Sequence, residues 1–184
     1  MKNAKHSELN IAVLTVSDSR GEKQDSSGHF LVEALRDAGH KLADKVIVRD
    51  DIYQIRAVVS RWIAEADVDA VLITGGTGFS GRDNTPEAVT PLFDKLIEGF
   101  GEVFRALSHD EIGSSTVQSR ALAGLANNTV IFCMPGSTGA CRTAWNGLIR
   151  DQLDGSHRPC NFVGVLGTRK ASEVQPDVTA GPVP

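Results

Sequence analysis

This sequence has little basic character. Its 19 lysines and arginines are outnumbered by 23 aspartates and glutamates over 184 residues, a formal charge of −4. That balance lacks the cationic field that draws proteins to nucleic acid whatever its sequence, so nucleic acid is not an expected partner. Cysteine is scarce too: Cys133, Cys141 and Cys160 are an odd set with no CxxC pair. A disulfide framework is excluded, and a reducing, cytoplasmic setting is expected. No apolar run approaches the ~18 residues that span a bilayer. The run at 11–16, preceded by Lys2 and Lys5, is shorter than a signal core and carries no cleavage pattern. Also missing are a GxSxG elbow, an HExxH pair and any histidine–cysteine cluster, which removes support for serine hydrolases and zinc enzymes.

What remains is a chain of one-domain size, 41% hydrophobic and 23% charged. Residues 1–8 are expected to be flexible, 9–167 to form the domain, and the proline-rich 168–184 to be a disordered tail. Residues 9–16, LNIAVLTV, are too apolar for a strand with one wet face and predict a central parallel strand. Further strands are expected at 41–51, 69–74 and 129–134. Helical spacing marks Phe30 to Ala38 (stopped by Gly39), Ile52 to Ile63, and Cys141 to Leu153; a shorter helix is expected at 103–109. Trp62 and Trp145 fall on apolar stripes and read as core. The alternation of strand and helix predicts an α/β fold with a mostly parallel sheet.

The informative stretch is 71–87, VLITGGTGFSGRDNTPE. Gly75, Gly76 and Gly78 lack Cβ, so the backbone there can turn and offer N–H groups to an oxyanion. Asp83 among such amides repels phosphate unless a divalent cation lies between, which points to magnesium with a nucleotide. The structural alternative is a turn capped by Asp83 or Asn84 with Pro86 opening a helix. Asp50 and Asp51 stand at the carboxyl end of the second strand, where open sheets bind ligands, or else one of them caps the next helix. Ser114, Ser119 and Arg120 suit a phosphate, though the same segment could be a capped helix with a solvated arginine. Residues 135–138, PGST, form a second turn into a helix N-terminus, a second seat for an anion.

Gly76, Gly78 and Gly81 spell GxGxxG, but the acid that dinucleotide sites place ~20 residues on is not found. The loop also falls short of a P-loop, with Arg82 at the lysine position and Asp83 at the hydroxyl position. Phosphoryl or nucleotidyl transfer is the chemistry that fits, since it asks chiefly for positioned phosphates and a metal.

Taken with VSDS at 16–19, DSSG at 25–28, TGGTG at 74–78, RDNTPEA at 82–88, GFGEVFR at 99–105, SSTVQSRALAG at 114–124 and MPGS at 134–137, the chain resembles the MoaB/MogA family of molybdenum-cofactor biosynthesis proteins. CRTAW at 141–145 and the short C-terminal end look more like the MoaB branch. The resemblance implies a three-layer, Rossmann-like molybdopterin-binding fold, assembly as trimers or hexamers, and contact with other proteins of the pathway. It implies transfer of AMP from Mg-ATP to molybdopterin, with Asp50 and Asp83 as catalytic, magnesium-holding residues. The binding positions it implies are Ser17, Asp18, Thr74, Gly75, Gly76, Thr77, Gly78, Ser114, Ser119, Arg120, Pro135, Gly136 and Ser137. Two departures stand out: Asn84 where the adenylyltransferases usually have valine, and Arg49 where proline commonly precedes the first aspartate. The alternative is a molybdopterin-binding or assembly protein without turnover; a nicotinamide dehydrogenase is the more distant rival.

Overall fold

The computed structural model describes residues 7–19 and 21–166; the expectations for residues 1–6 and for the tail at 168–184 lie outside this range. Six strands form one sheet in the order β2-β1-β3-β6-β5-β4. They are β1 (Asn10–Val16), β2 (Lys41–Val48), β3 (Ala70–Thr74), β4 (Lys95–Leu96), β5 (Leu122–Ala126) and β6 (Thr129–Met134). Strands β2, β1, β3 and β6 run parallel, while β5 and β4 join antiparallel at the far edge.

Alternate residues of the central strands enter two separate cores. Ile11, Val13, Leu72 and Phe132 pack with α1 (Ser26–Asp37), with Phe100 and Phe104 of α4 (Glu98–Ile112), and with Cys141 and Trp145 at and just beyond α5 (Thr138–Ala144). Ala12, Leu14, Ile73 and Ile131 face the other way, against Ile55, Val59 and Trp62 of α2 (Ile52–Ala64) and Ala88 and Val89 of α3 (Thr85–Val89). Both faces being covered is why these strands read as unbroken apolar runs. The result is the expected three-layer α/β architecture.

Trp62 is fully buried and its Nε1–H donates to Asp44 Oδ2 at 3.1 Å. Trp145 is likewise core, at the start of a π-helical turn, Trp145–Ile149, that continues α5. Among the described residues, no helix is long and apolar enough to cross a membrane.

Two local expectations need correction, and two strands were not expected. The second strand, expected to reach Asp51, ends at Val48 and leaves Asp50 and Asp51 in the loop after it. The helix expected at 103–109 is the 15-residue α4, whose first turns contain Gly99 and Gly101 and so hide the helical period. Strand β5 was not expected; its sequence LAGLA is poor in β-branched residues. It pairs with β6 through a tight turn at Asn127 and Asn128, both at positive φ (49° and 64°), the geometry of a two-residue hairpin. The two-residue β4 extends this antiparallel edge.

The chain leaves β1 for β2 on one side and then crosses to β3 on the other, which makes the β1/β3 boundary the switch point of the sheet. Ligands of open α/β sheets bind at the carboxyl ends of the strands beside such a point.

A carboxylate-flanked cleft at the sheet switch point

The carboxyl ends of β1, β3 and β6 converge on the glycine loop. Gly75 has φ +104°, and a Cβ there would stand 2.1 Å from the Val16 carbonyl oxygen. Its N–H donates to Met134 O at 3.0 Å, and its carbonyl accepts from Thr85 Oγ1 at 2.8 Å. Only glycine fits where three strand ends meet this closely. Gly76 (φ +65°) is fixed in turn by Thr85 N–H, which donates to its carbonyl at 2.9 Å. Above these residues lies a cleft of about 320 Å³.

Gly75, Gly76, Thr77, Gly78 and Asp83 form its floor and one wall; Ser17, Ser119, Pro135 and Gly136 contribute to the others. Val16, Ser19 and Gln118, beyond the predicted contacts, also line it. Ser19 and Gln118 each lie within two residues of a predicted contact, but loop spacing alone does not show which side chain turns inward.

Each of the two aspartates stands against one glycine of the loop, Asp83 in the cleft lining and Asp50 outside it. A Cβ on Gly76 would lie 2.6 Å from Asp50 Oδ2, and one on Gly78 2.8 Å from Asp83 Oδ2. Asp51, not Asp50, caps α2, accepting from Tyr53 N–H and Gln54 N–H at 3.0 and 2.9 Å. Asp50 instead accepts from Asn84 N–H at Oδ1, 2.9 Å, and its own N–H donates to Asp18 Oδ1 at 3.3 Å. Burial pushes the Asp50 carboxyl above its ordinary pKa; the hydrogen bonds from Asn84 oppose this, and the charges of Asp83 and Asp18 reinforce it. Asp83 Oδ2 accepts from Ser80 N–H at 2.8 Å. Asn84 precedes α3 without a side-chain cap, and Pro86 sits in its first turn.

Other predicted positions take different places. Thr74 is fully buried, its hydroxyl directed to Pro135 O at 3.1 Å, so it ties β3 to β6 beneath the cleft. Asp18 stands at the rim, ion-paired to Arg82 at 2.8 Å. Ser137 accepts from Ala140 N–H at 3.1 Å and caps α5. Ser114 lies exposed on the 3₁₀ turn Gly113–Gln118, outside the cleft lining.

Arg120 departs from its expected role as a phosphate anchor. Its Nε and Nη2 donate to the carbonyls of Gly78 (2.8 Å) and Asp83 (2.7 Å), Nη1 pairs with the Glu87 carboxylate, and the guanidinium lies over the Phe79 ring. Arg120 is a brace for the loop that carries Asp83.

Behind the cleft wall, Asp25 is fully buried. It caps α1 through Gly28 N–H (2.9 Å), accepts from Thr15 Oγ1 (3.0 Å), and pairs with Lys45 at 3.1 Å. Burial pushes Asp25 up, but the bonds from Gly28, Lys45 and Thr15 outweigh it and leave the carboxyl below its ordinary value.

Among the described residues no three His, Cys, Asp or Glu side chains are gathered as an all-protein metal cage. Magnesium does not require one: it is held by one or two carboxylates together with substrate phosphates and water. Asp50 and Asp83, hard oxygen donors beside Gly76 and Gly78, fit that description.

Fold and cleft together define a doubly wound α/β protein with an anion-suited, carboxylate-flanked site at the switch point. The chain matches the family described as probable molybdopterin binding domain over residues 12–155. It is 62% identical over 152 residues to molybdenum cofactor biosynthesis protein B of Escherichia coli (strain K12), covering 83% of this chain and 89% of that one. A crystal structure of a molybdenum cofactor biosynthesis protein B superposes with a TM-score of 0.77 at 48% identity, covering 80% of this chain and 92% of the other. The tungsten cofactor synthesizing protein MoaB from Pyrococcus furiosus superposes with a TM-score of 0.71 at 38% identity, covering 77% and 90%. The chain belongs to the MoaB/MogA family.

Proposed function

We propose that this protein acts in molybdenum cofactor biosynthesis by binding molybdopterin and transferring AMP to it from Mg-ATP. The observation that carries the reading is the convergence of Asp50 and Asp83 on Gly76 and Gly78. A glycine loop alone would serve many anions; two acids built into it call for a cation-bridged phosphate. In the reaction a terminal phosphate oxygen of molybdopterin forms a bond to the α-phosphorus of ATP. The α–β phosphoanhydride bond breaks, and pyrophosphate leaves.

The chain's contribution is positioning and charge. The amides at Gly76 to Gly78 face the phosphates, that of Gly75 being held by Met134 O, and Arg120 holds the loop in shape. Ser17, Ser19, Gln118 and Ser119 supply hydroxyl and amide partners for the pterin and its phosphate. Asp50 and Asp83 would hold magnesium, which when bound supplies positive charge against the triphosphate. Homo-oligomer formation, as trimer or hexamer, belongs to the same reading as an implication of the family resemblance.

Incubating the purified protein with Mg-ATP and molybdopterin tests the proposal. Adenylylated molybdopterin and pyrophosphate are expected; molybdopterin retained without either product would leave a binding or assembly protein.

A further inference from the structure

Arg82 has no part in the assignments above, although its position beside Asp83 invites one. Its guanidinium pairs with Asp18 Oδ2 at 2.8 Å, with Arg82 72% and Asp18 30% exposed. Ser17 and Ser19 flank Asp18 and both line the cleft, as does Asp83. The pair therefore joins the loop after β1 to the loop after β3 at the rim.

No lysine or arginine is among the described residues lining the cleft. Arg120, the nearby guanidinium, is committed to Gly78, Asp83 and Glu87. Phosphates beyond the glycine loop would thus meet Asp18 and Asp83 with little positive charge from the described lining residues. An ion pair this exposed contributes little stability and is easily exchanged, whereas a guanidinium on a phosphate gains short, charge-assisted, bidentate bonds.

We infer that Arg82 is a substrate-binding residue that exchanges its Asp18 partner for the β- and γ-phosphates of the nucleotide, while the glycine loop keeps the α-phosphate. This deepens the nucleotide reading of the site and rests on it. The pair would keep Arg82 near the rim until a triphosphate arrives, and a nucleoside monophosphate would leave it in place.

Calorimetric titration of the full chain with two probes, α,β-methylene-ATP with magnesium and AMP with magnesium, tests this without turnover. In Arg82→Ala, affinity for the triphosphate probe is expected to fall about tenfold or more with AMP affinity unchanged, and Arg82→Lys to recover part of the loss. Equal triphosphate affinity in wild type and Arg82→Ala would overturn the inference. So would equal losses for both probes, which would mean that Arg82 only shapes the loop. If the wild type bound neither probe, the nucleotide reading itself would fail and this inference with it; unlike the other outcomes, that result is seen before any variant is made.

Discussion

The Asn84 main-chain N–H donates to Asp50 Oδ1 at 2.9 Å, joining the end of the second strand's loop to the start of α3 across 34 positions. The bond belongs to the backbone. The Asn84 side chain adds only a 3.4 Å contact from Nδ2 to Asp50 O. Asn84→Val, which installs the residue usual in the adenylyltransferases, is therefore expected to stay within about threefold of wild-type kcat/KM. Steady-state kinetics check this.

Asp50 is expected to trade stability for function. Its raised pKa means that ionisation is disfavoured in the folded state, so it lowers stability above the folded value, and the effect fades as pH falls below the ordinary carboxylate value of 3.8. Asp50→Asn should raise the ligand-free Tm at pH 7 by about 1–3 °C and abolish magnesium-dependent nucleotide binding. The gain in Tm should disappear near pH 3.5, which calorimetry across pH would show.

The buried Asp25–Lys45 pair makes the opposite contribution. Asp25 lies below its ordinary 3.8, so its stabilisation is present above that value and is lost as pH falls through the lower folded pKa. For Lys45, burial pulls the pKa down but Glu22 and Asp25 outweigh it, holding it above 10.5; its stabilisation is present below 10.5 and is lost as pH rises through the folded value. Asp25→Ala should cost about 3 kcal/mol at pH 7 and flatten the acid limb of stability against pH. Urea unfolding at a series of pH values reads both effects.

Removing the Arg120 brace should affect catalysis more than folding. Arg120→Ala leaves the Gly78 and Asp83 carbonyls and Glu87 without this partner, at a cost of about 2 kcal/mol in stability, and loosens the loop carrying Asp83. A drop in kcat of about 100-fold is expected. Lys at this position should rescue little, because an ammonium cannot span three acceptors in a plane. Kinetics and urea midpoints on both variants separate the two effects.

Much of the central sheet was legible in the sequence because its strands are buried on both faces and carry continuous apolar runs. The antiparallel edge was not. LAGLA at β5 has no β-branched residue, and Gly124 is needed there because a Cβ would lie 2.2 Å from the Phe93 ring. Gly101 is required in α4 for a similar reason, since a Cβ would stand 2.5 Å from Ala121 O, and it blurs the helix pattern. At the site, loop residues could be recognised by type but not by direction. Asp50 and Asp51 were equivalent in sequence until Asp51 proved to be the cap. Arg120 looked like an anion ligand because a guanidinium suits phosphate and backbone carbonyls equally well.

AMP transfer at the cleft beside Asp50 and Asp83 can be followed in a single-turnover reaction with the protein in excess over molybdopterin and with Mg-ATP saturating. One pyrophosphate is expected per adenylylated molybdopterin, with a rate at least about 100-fold lower in Asp83→Asn and molybdopterin still bound. Full retention of molybdopterin by the wild type with no pyrophosphate formed, or an undiminished rate in Asp83→Asn, would contradict it.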